Sequence, residues 1–188
     1  MLLAVLLAVF LPRPEAESPG IYYSMEDYDL VAGICEMQEL DSALLMALIH
    51  TESGFDPLAV SAVGARGLTQ IMPDTFDWLR SKTGDNLTFD DLFRPEVSVR
   101  YGAVMLKYLL DEFGEPETAL AAYHAGRGRV NQWLRDPAIS VDGYRIDEIP
   151  SSDTRHYVFK VMRAYAHYIE AVSERQQETS ETTQEITQ

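Results

Sequence analysis

Glu52 is the residue of this chain best placed to move a proton. On a helix running from about 41 to 53, successive residues turn by about 100°, so Leu45, Leu48, Ile49 and Glu52 fall along one stripe. A carboxyl group that continues an apolar face loses hydration, which disfavours its ionised form and raises its pKa. Glu52 also sits in the last helical turn before Gly54, where the negative end of the helix dipole further favours the protonated state. A general acid needs that combination. A carboxylate satisfied by an Arg or by backbone N–H groups would fit the same position, and this helix alone leaves both readings open.

Other chemistries find less support. His50 and Glu52 are common metal-ligand types, but two residues apart on a helix they point about 200° away from each other, and no HExxH pattern occurs. His50 is therefore expected on the outer surface. Cys35 is the single cysteine, so neither an intramolecular disulfide nor a cysteine-based zinc site is expected, and it reads as a small buried apolar residue. Gly64, Gly67, Gly126 and Gly128 follow no strand that would build a phosphate-binding loop, and they read as turn or close-packing positions. No metal and no cofactor is expected.

The elements that must hold Glu52 in place are helical. Apolar spacing with caps, Gly and Pro at the boundaries predicts helices at about 26–38, 41–53, 66–81, 96–113, 116–135 and 151–175, with no alternating strand pattern. The fold class is all-α. Asp41, Asp74 or Thr75, Pro95 and Ser152 mark helix starts, while Gly54 and Gly114 mark helix ends. GDNLTFDDLFRPE reads as a loop, and Tyr101, Tyr108, Tyr165 and Tyr168 as structural aromatics.

With 188 residues and 46% apolar content, the chain is long enough to bury one hydrophobic core. Thirty acidic against 15 basic residues give a formal net charge of −15, which disfavours nucleic acid and anionic lipid as partners. Binding to another acidic polymer would have to rest on local shape, hydrogen bonding and stacking. Residues 2–11, LLAVLLAVFL, resemble the core of a signal peptide and predict export, although no basic residue precedes them. Three segments are thus expected: a signal-peptide-like stretch at 1–20, a folded domain at 21–172 and an acidic disordered tail at 173–188.

The run ALIHTESGFDPLAVSAVGARGLTQIMPDT, from Ala47 to Thr75, resembles the Glu-Ser and Gly-Leu-Met-Gln signatures of the soluble lytic transglycosylase family. AYHAGRGRV at 122–130 is similar to that family's Ala-Tyr-Asn-Ala-Gly element, and DEIPSSDTRHYVFKV at 147–161 supplies a third match in the same order. The resemblance covers about residues 26–172. It implies a lysozyme-like helical domain with a glycan-binding groove. It also implies Glu52 as the catalytic acid and base, with Ser53 hydrogen-bonding near it. Gln70 and Met72 match positions lining the groove near the scissile bond, Ser61 matches a Ser of the same segment with a role in contact and orientation, and Tyr123 matches a tyrosine whose hydroxyl lies close to the catalytic carboxylate. Glu148 matches the acidic residue of a Glu-x-Ile-Pro element, and Tyr157 is expected to stack on sugar. His124 replaces the usual Asn, where it could still donate a hydrogen bond, and Thr69 replaces a usual Met; Arg127 and Asp153 depart from a usual Pro and Glu.

The chemistry so implied is cleavage of the β-1,4 bond between N-acetylmuramic acid and N-acetylglucosamine in peptidoglycan, with formation of 1,6-anhydromuramic acid ends. One carboxyl group suffices for it, whereas ordinary retaining or inverting glycosidases need two. Peptidoglycan glycan strands are the expected partner, the periplasm or cell envelope the expected location, and a monomer the expected state. Two rivals remain. A hydrolytic muramidase would use Asp56, Asp74 or Glu148 as a second carboxylate, and a non-catalytic peptidoglycan-binding or secretion-assembly protein would keep the fold alone.

Overall fold

The computed structural model describes Met25 and residues 27–186, with side chains described as far as residue 177. The signal-peptide-like segment at 1–20 lies outside the described residues. Among the described residues seven α-helices follow one another: α1 Tyr28–Gln38, α2 Ser42–Ser53, α3 Pro73–Thr83, α4 Pro95–Phe113, α5 Pro116–Ala125, α6 Arg127–Leu134 and α7 Ser152–Ile186. A 3-10 helix, Phe89–Phe93, precedes α4. Among the described residues no helix is long and apolar enough to cross a membrane.

α2 is the centre of the body. Asp41 caps it, one carboxylate oxygen accepting from the N–H groups of Ala43 at 2.8 Å and Leu44 at 3.4 Å, an arrangement worth about 1 kcal/mol. Every residue from Ala43 to Ile49 is buried, so the helix is apolar all round and not merely along one stripe. α1, α4 and α7 pack against it. Burial ends where the sequence turns polar at His50, and Glu52 emerges at that boundary. Cys35 lies in the same core at 2% exposure, and burial pushes its thiol up to about 12.

A second, smaller cluster of Ile71, Phe76, Leu79, Leu92, Val97 and Tyr101 sits beneath α3 and the 3-10 helix. Tyr123 packs against both clusters and marks the seam between them.

Residues 66–72 are not helical, contrary to the helix expected from 66. Leu68 and Ile71 have helical spacing, but Gly67 at φ 74° and Gln70 at φ 48° turn the chain back on itself. Arg66 and Ile71 then exchange both backbone hydrogen bonds, at 3.1 and 3.2 Å, and α3 starts only at Pro73, which cannot continue a preceding helix. The helix expected over 116–135 is broken at Gly126, whose φ of 90° and ψ of 136° separate α5 from α6. The segment read as a loop at 84–96 contains the 3-10 helix, because a Thr88 and Asp91 capping box closes one turn over buried Leu92. α7 continues to Ile186, whereas a disordered tail was expected from 173. Its Glu, Gln and Arg residues are good helix formers, and no Gly or Pro interrupts them.

Candidate active site

The end of α2 brings Glu52 against two tyrosines. Tyr157 of α7, itself 8% exposed, donates its hydroxyl to Glu52 Oε1 at 2.7 Å. Tyr123 of α5 donates instead to the carbonyl of Thr69 at 2.8 Å. Burial raises the pKa of both phenols, and the charge of Glu52 raises each further. The hydroxyl bonded to the carboxyl group is thus that of Tyr157, and Tyr123 ties the 66–71 turn to the same place.

Burial pushes the Glu52 carboxyl up to about 7, against smaller downward effects of the Tyr157 hydrogen bond and the charge of Lys160. A carboxyl group poised there can hold a proton near neutral pH and still release it, which is what a single acid and base requires. Two of the carboxylates a hydrolytic site would draw on, Asp56 and Glu148, are held by other partners. Asp56 accepts from the N–H of Leu58 at 2.9 Å, and exposed Glu148 pairs with Arg155 at 3.2 Å.

The turn beside Glu52 is held by its own polar side chains. Ser53 Oγ donates to the carbonyl of Leu68 at 2.8 Å and of Ile49 at 3.2 Å, so it fastens the turn to α2 and does not bond the carboxyl group. Gln70 Nε2 donates to the carbonyls of Gly67 at 2.8 Å and Ala59 at 3.1 Å, locking its own left-handed conformation. Ser61 closes the neighbouring loop, its Oγ accepting from Ala65 N–H at 2.9 Å. Thr69 is fully buried and turned inward, its hydroxyl donating to the carbonyl of Ser98 at 2.8 Å. Replacement of a usual Met therefore puts a hydroxyl into the core against α4. Gly102 makes that possible, since a Cβ there would lie 2.4 Å from the Thr69 methyl carbon.

The remaining predicted positions divide. His124 joins the site: its ring stacks on Tyr157 with centroids 4.5 Å apart, and its Nδ1 is hydrogen-bonded to Thr154 Oγ1 at 3.2 Å. Tyr157 is consequently covered on a face by His124 and is not presented to sugar as expected. Met72 is exposed at the mouth of α3, and Met72, Ser61 and Glu148 make no hydrogen bond to Glu52. His50 is not outward-facing. It is half-buried among the rings of Phe55 and Tyr168, at 6.4 and 6.2 Å, and burial lowers its pKa. Two contributors escaped the sequence reading, Lys160 and Thr154, although each lies three residues from Tyr157 on the same helix and both fall within the 147–161 match.

Residues 29–141 match the model of the transglycosylase SLT domain. The soluble lytic murein transglycosylase of Salmonella typhimurium is 34% identical over 148 residues, which cover 74% of this chain and 22% of that protein. The structure of the inactive Glu-to-Gln mutant of lytic transglycosylase Slt from Pseudomonas aeruginosa superposes with a TM-score of 0.70 and 31% identity, covering 80% of this chain and 25% of that one. The 70 kDa soluble lytic transglycosylase of Escherichia coli gives 0.71 and 30%, with the same coverages. The chain thus has their lysozyme-like helical fold, and it spans about a fifth of the length of the soluble lytic murein transglycosylases it matches.

Proposed function

This chain belongs to the transglycosylase SLT family, and from that premise we propose that it is a lytic transglycosylase acting on the glycan strands of peptidoglycan. The bond cut is the β-1,4 link between N-acetylmuramic acid and N-acetylglucosamine. The observation that carries this reading is the Glu52 carboxyl withdrawn from water at the end of α2, with the Tyr157 hydroxyl 2.7 Å from its Oε1.

Protonated Glu52 donates to the glycosidic oxygen, and the bond to C1 of the muramic acid breaks with oxocarbenium-like charge on the ring. The substrate N-acetyl group stabilises that charge. The Glu52 carboxylate then takes the proton of the C6 hydroxyl, whose oxygen closes onto C1. A 1,6-anhydro end results, Glu52 is protonated again, and no water is consumed. The Tyr157 hydroxyl stabilises the ionised half of this cycle, while burial stabilises the protonated half. A solved relative is described as an inactive Glu-to-Gln mutant, which fits an essential glutamate in that protein. Gln70, Ser53 and Tyr123 build the wall beside it, and Ser61, Met72 and Glu148 are assigned to strand contact further along. Export to the periplasm or cell envelope follows from the substrate and from the apolar run at 2–11.

Digestion of purified peptidoglycan followed by mass spectrometry tests the reading. The expected fragments end in 1,6-anhydromuramic acid, one water lighter than the hydrolytic product. Fragments ending in a reducing muramic acid would establish a muramidase instead, and binding without any cleavage would establish a glycan-binding protein.

A further inference from the structure

His124 is a departure from the family pattern that the mechanism above leaves without a task. It lies at the last turn of α5, its side chain directed across to α7. Two contacts there fix its ring in both position and tilt. Nδ1 is hydrogen-bonded to the hydroxyl of buried Thr154 at 3.2 Å, and the ring plane lies 28° from that of Tyr157, with centroids 4.5 Å apart. Thr154 and Tyr157 are three apart on α7 and so share one side of that helix. Tyr157 in turn places its hydroxyl 2.7 Å from Glu52 Oε1. A continuous chain of contacts therefore runs Thr154, His124, Tyr157, Glu52. Tyr157 is itself part of the main core at 8% exposure, and the imidazole stacks on it there.

We propose that His124 is a positioning residue, whose imidazole, anchored by Thr154, clamps the Tyr157 ring so that its hydroxyl stays on Glu52. The inference rests on Glu52 being the catalytic acid. At neutral pH the clamp is uncharged, because burial lowers the His124 pKa against a smaller upward effect of Asp153. A neutral ring stacked on tyrosine steers orientation without adding a positive charge beside Glu52. That task differs from the hydrogen-bond donation open to a histidine standing where the family has Asn. The remaining groups whose charge or hydrogen bonds act on this chain are Lys160 of α7, which favours ionised Glu52, and Tyr123 of α5.

The test is the Glu52 titration, read both as the alkaline limb of kcat against pH and by carboxyl NMR. Tyr157→Phe removes a hydrogen bond to the ionised form and is expected to move the midpoint up by about 1 pH unit. His124→Ala frees the ring without deleting the hydroxyl, so an upward move of about half that size is expected, with kcat reduced and KM little changed. His124→Phe restores a stacked ring and is expected to return the midpoint most of the way. In a Tyr157→Phe background, His124→Ala is expected to add nothing, because the hydroxyl it positions is gone. An unmoved midpoint in His124→Ala, or an equal shift in both backgrounds, would overturn the clamp. A downward shift would overturn it too, by showing that the imidazole only keeps water from Glu52. The NMR titration decides the matter even if the chain cleaves no glycan, so failure of the activity and failure of the clamp are told apart. If His124→Ala does not fold, Thr154→Val, which releases the imidazole from its anchor, is read in the same two backgrounds with the same expected and overturning results.

Discussion

Glu52→Gln is expected to lower turnover on peptidoglycan roughly ten-thousand-fold, the upper end of what a general acid and base contributes, because one group serves both proton transfers. The substitution is nearly isosteric, and the amide oxygen can still accept from Tyr157. Loss of activity should therefore come without loss of fold. Stability supplies a second signature. Since burial raises the Glu52 pKa from an ordinary 4.5 to about 7, the folded chain holds this proton more tightly than the unfolded chain does. The stabilisation that goes with that proton is fully present below about pH 4.5 and disappears as pH rises through about 7. Above that range the buried charge costs on the order of 3 kcal/mol relative to the neutral group. Thermal melts should accordingly find the glutamine variant equal to the parent at pH 4 and more stable at pH 8. A variant that retains cleavage, or that melts with the parent at both pH values, would remove Glu52 from the role given to it.

The second large effect is structural. Gly67→Ala is expected to destabilise the fold by at least about 3 kcal/mol, through a positive φ and a steric overlap acting together. At φ 74° a side chain is strained whatever the space around it, and the space is already taken. The added Cβ would lie 2.1 Å from the Leu92 carbonyl oxygen and 2.7 Å from Ser98 Oγ, and the first of these is backbone that cannot swing aside. Relief requires the 66–71 turn to lift away from the 3-10 helix. That displaces the Leu68 carbonyl from Ser53 and the Thr69 carbonyl from Tyr123, so activity should fall with stability. For a domain of this size the melting temperature is expected to drop by about 6 to 12 °C. Gly128→Ala is the control: its Cβ meets nothing within 4 Å, and a neutral or slightly stabilising result is expected.

Much of the helical frame could be read from the sequence because its signals are local. Asp41 caps α2 through its own side chain, Pro95 opens α4, and Gly54 and Gly114 close α2 and α4, each acting within a turn of where it stands. Glu52 was legible for the same reason, as a carboxyl group following a run of apolar residues near a helix end. The 66–72 turn was misread because Leu68 and Ile71 satisfy helical spacing while the decisive feature is a close approach of Gly67 to Leu92, 25 positions on. The clearest miss is at Tyr157. It lies 105 positions from Glu52, and which of two tyrosines reaches the carboxyl group depends on how α5 and α7 pack, not on any pattern within either. His50 was misplaced by a similar route: helical geometry pointed it away from Glu52, but Phe55 and Tyr168 cover that direction. The continuation of α7 to Ile186 shows the converse, good helix formers running on past Val172, the last buried apolar side chain among those described, with Arg175 paired to Asp29 on the way.

The most direct measurement is a carboxyl NMR titration of Glu52, assigned by the signal that disappears in Glu52→Gln. A midpoint near 7 is the predicted result, the consequence of a carboxyl group withdrawn from water at the end of α2 and bonded to Tyr157. A midpoint at the ordinary 4.5 would mean an ionised, hydrated side chain that has no proton to give at neutral pH, and the proposed chemistry would have no acid.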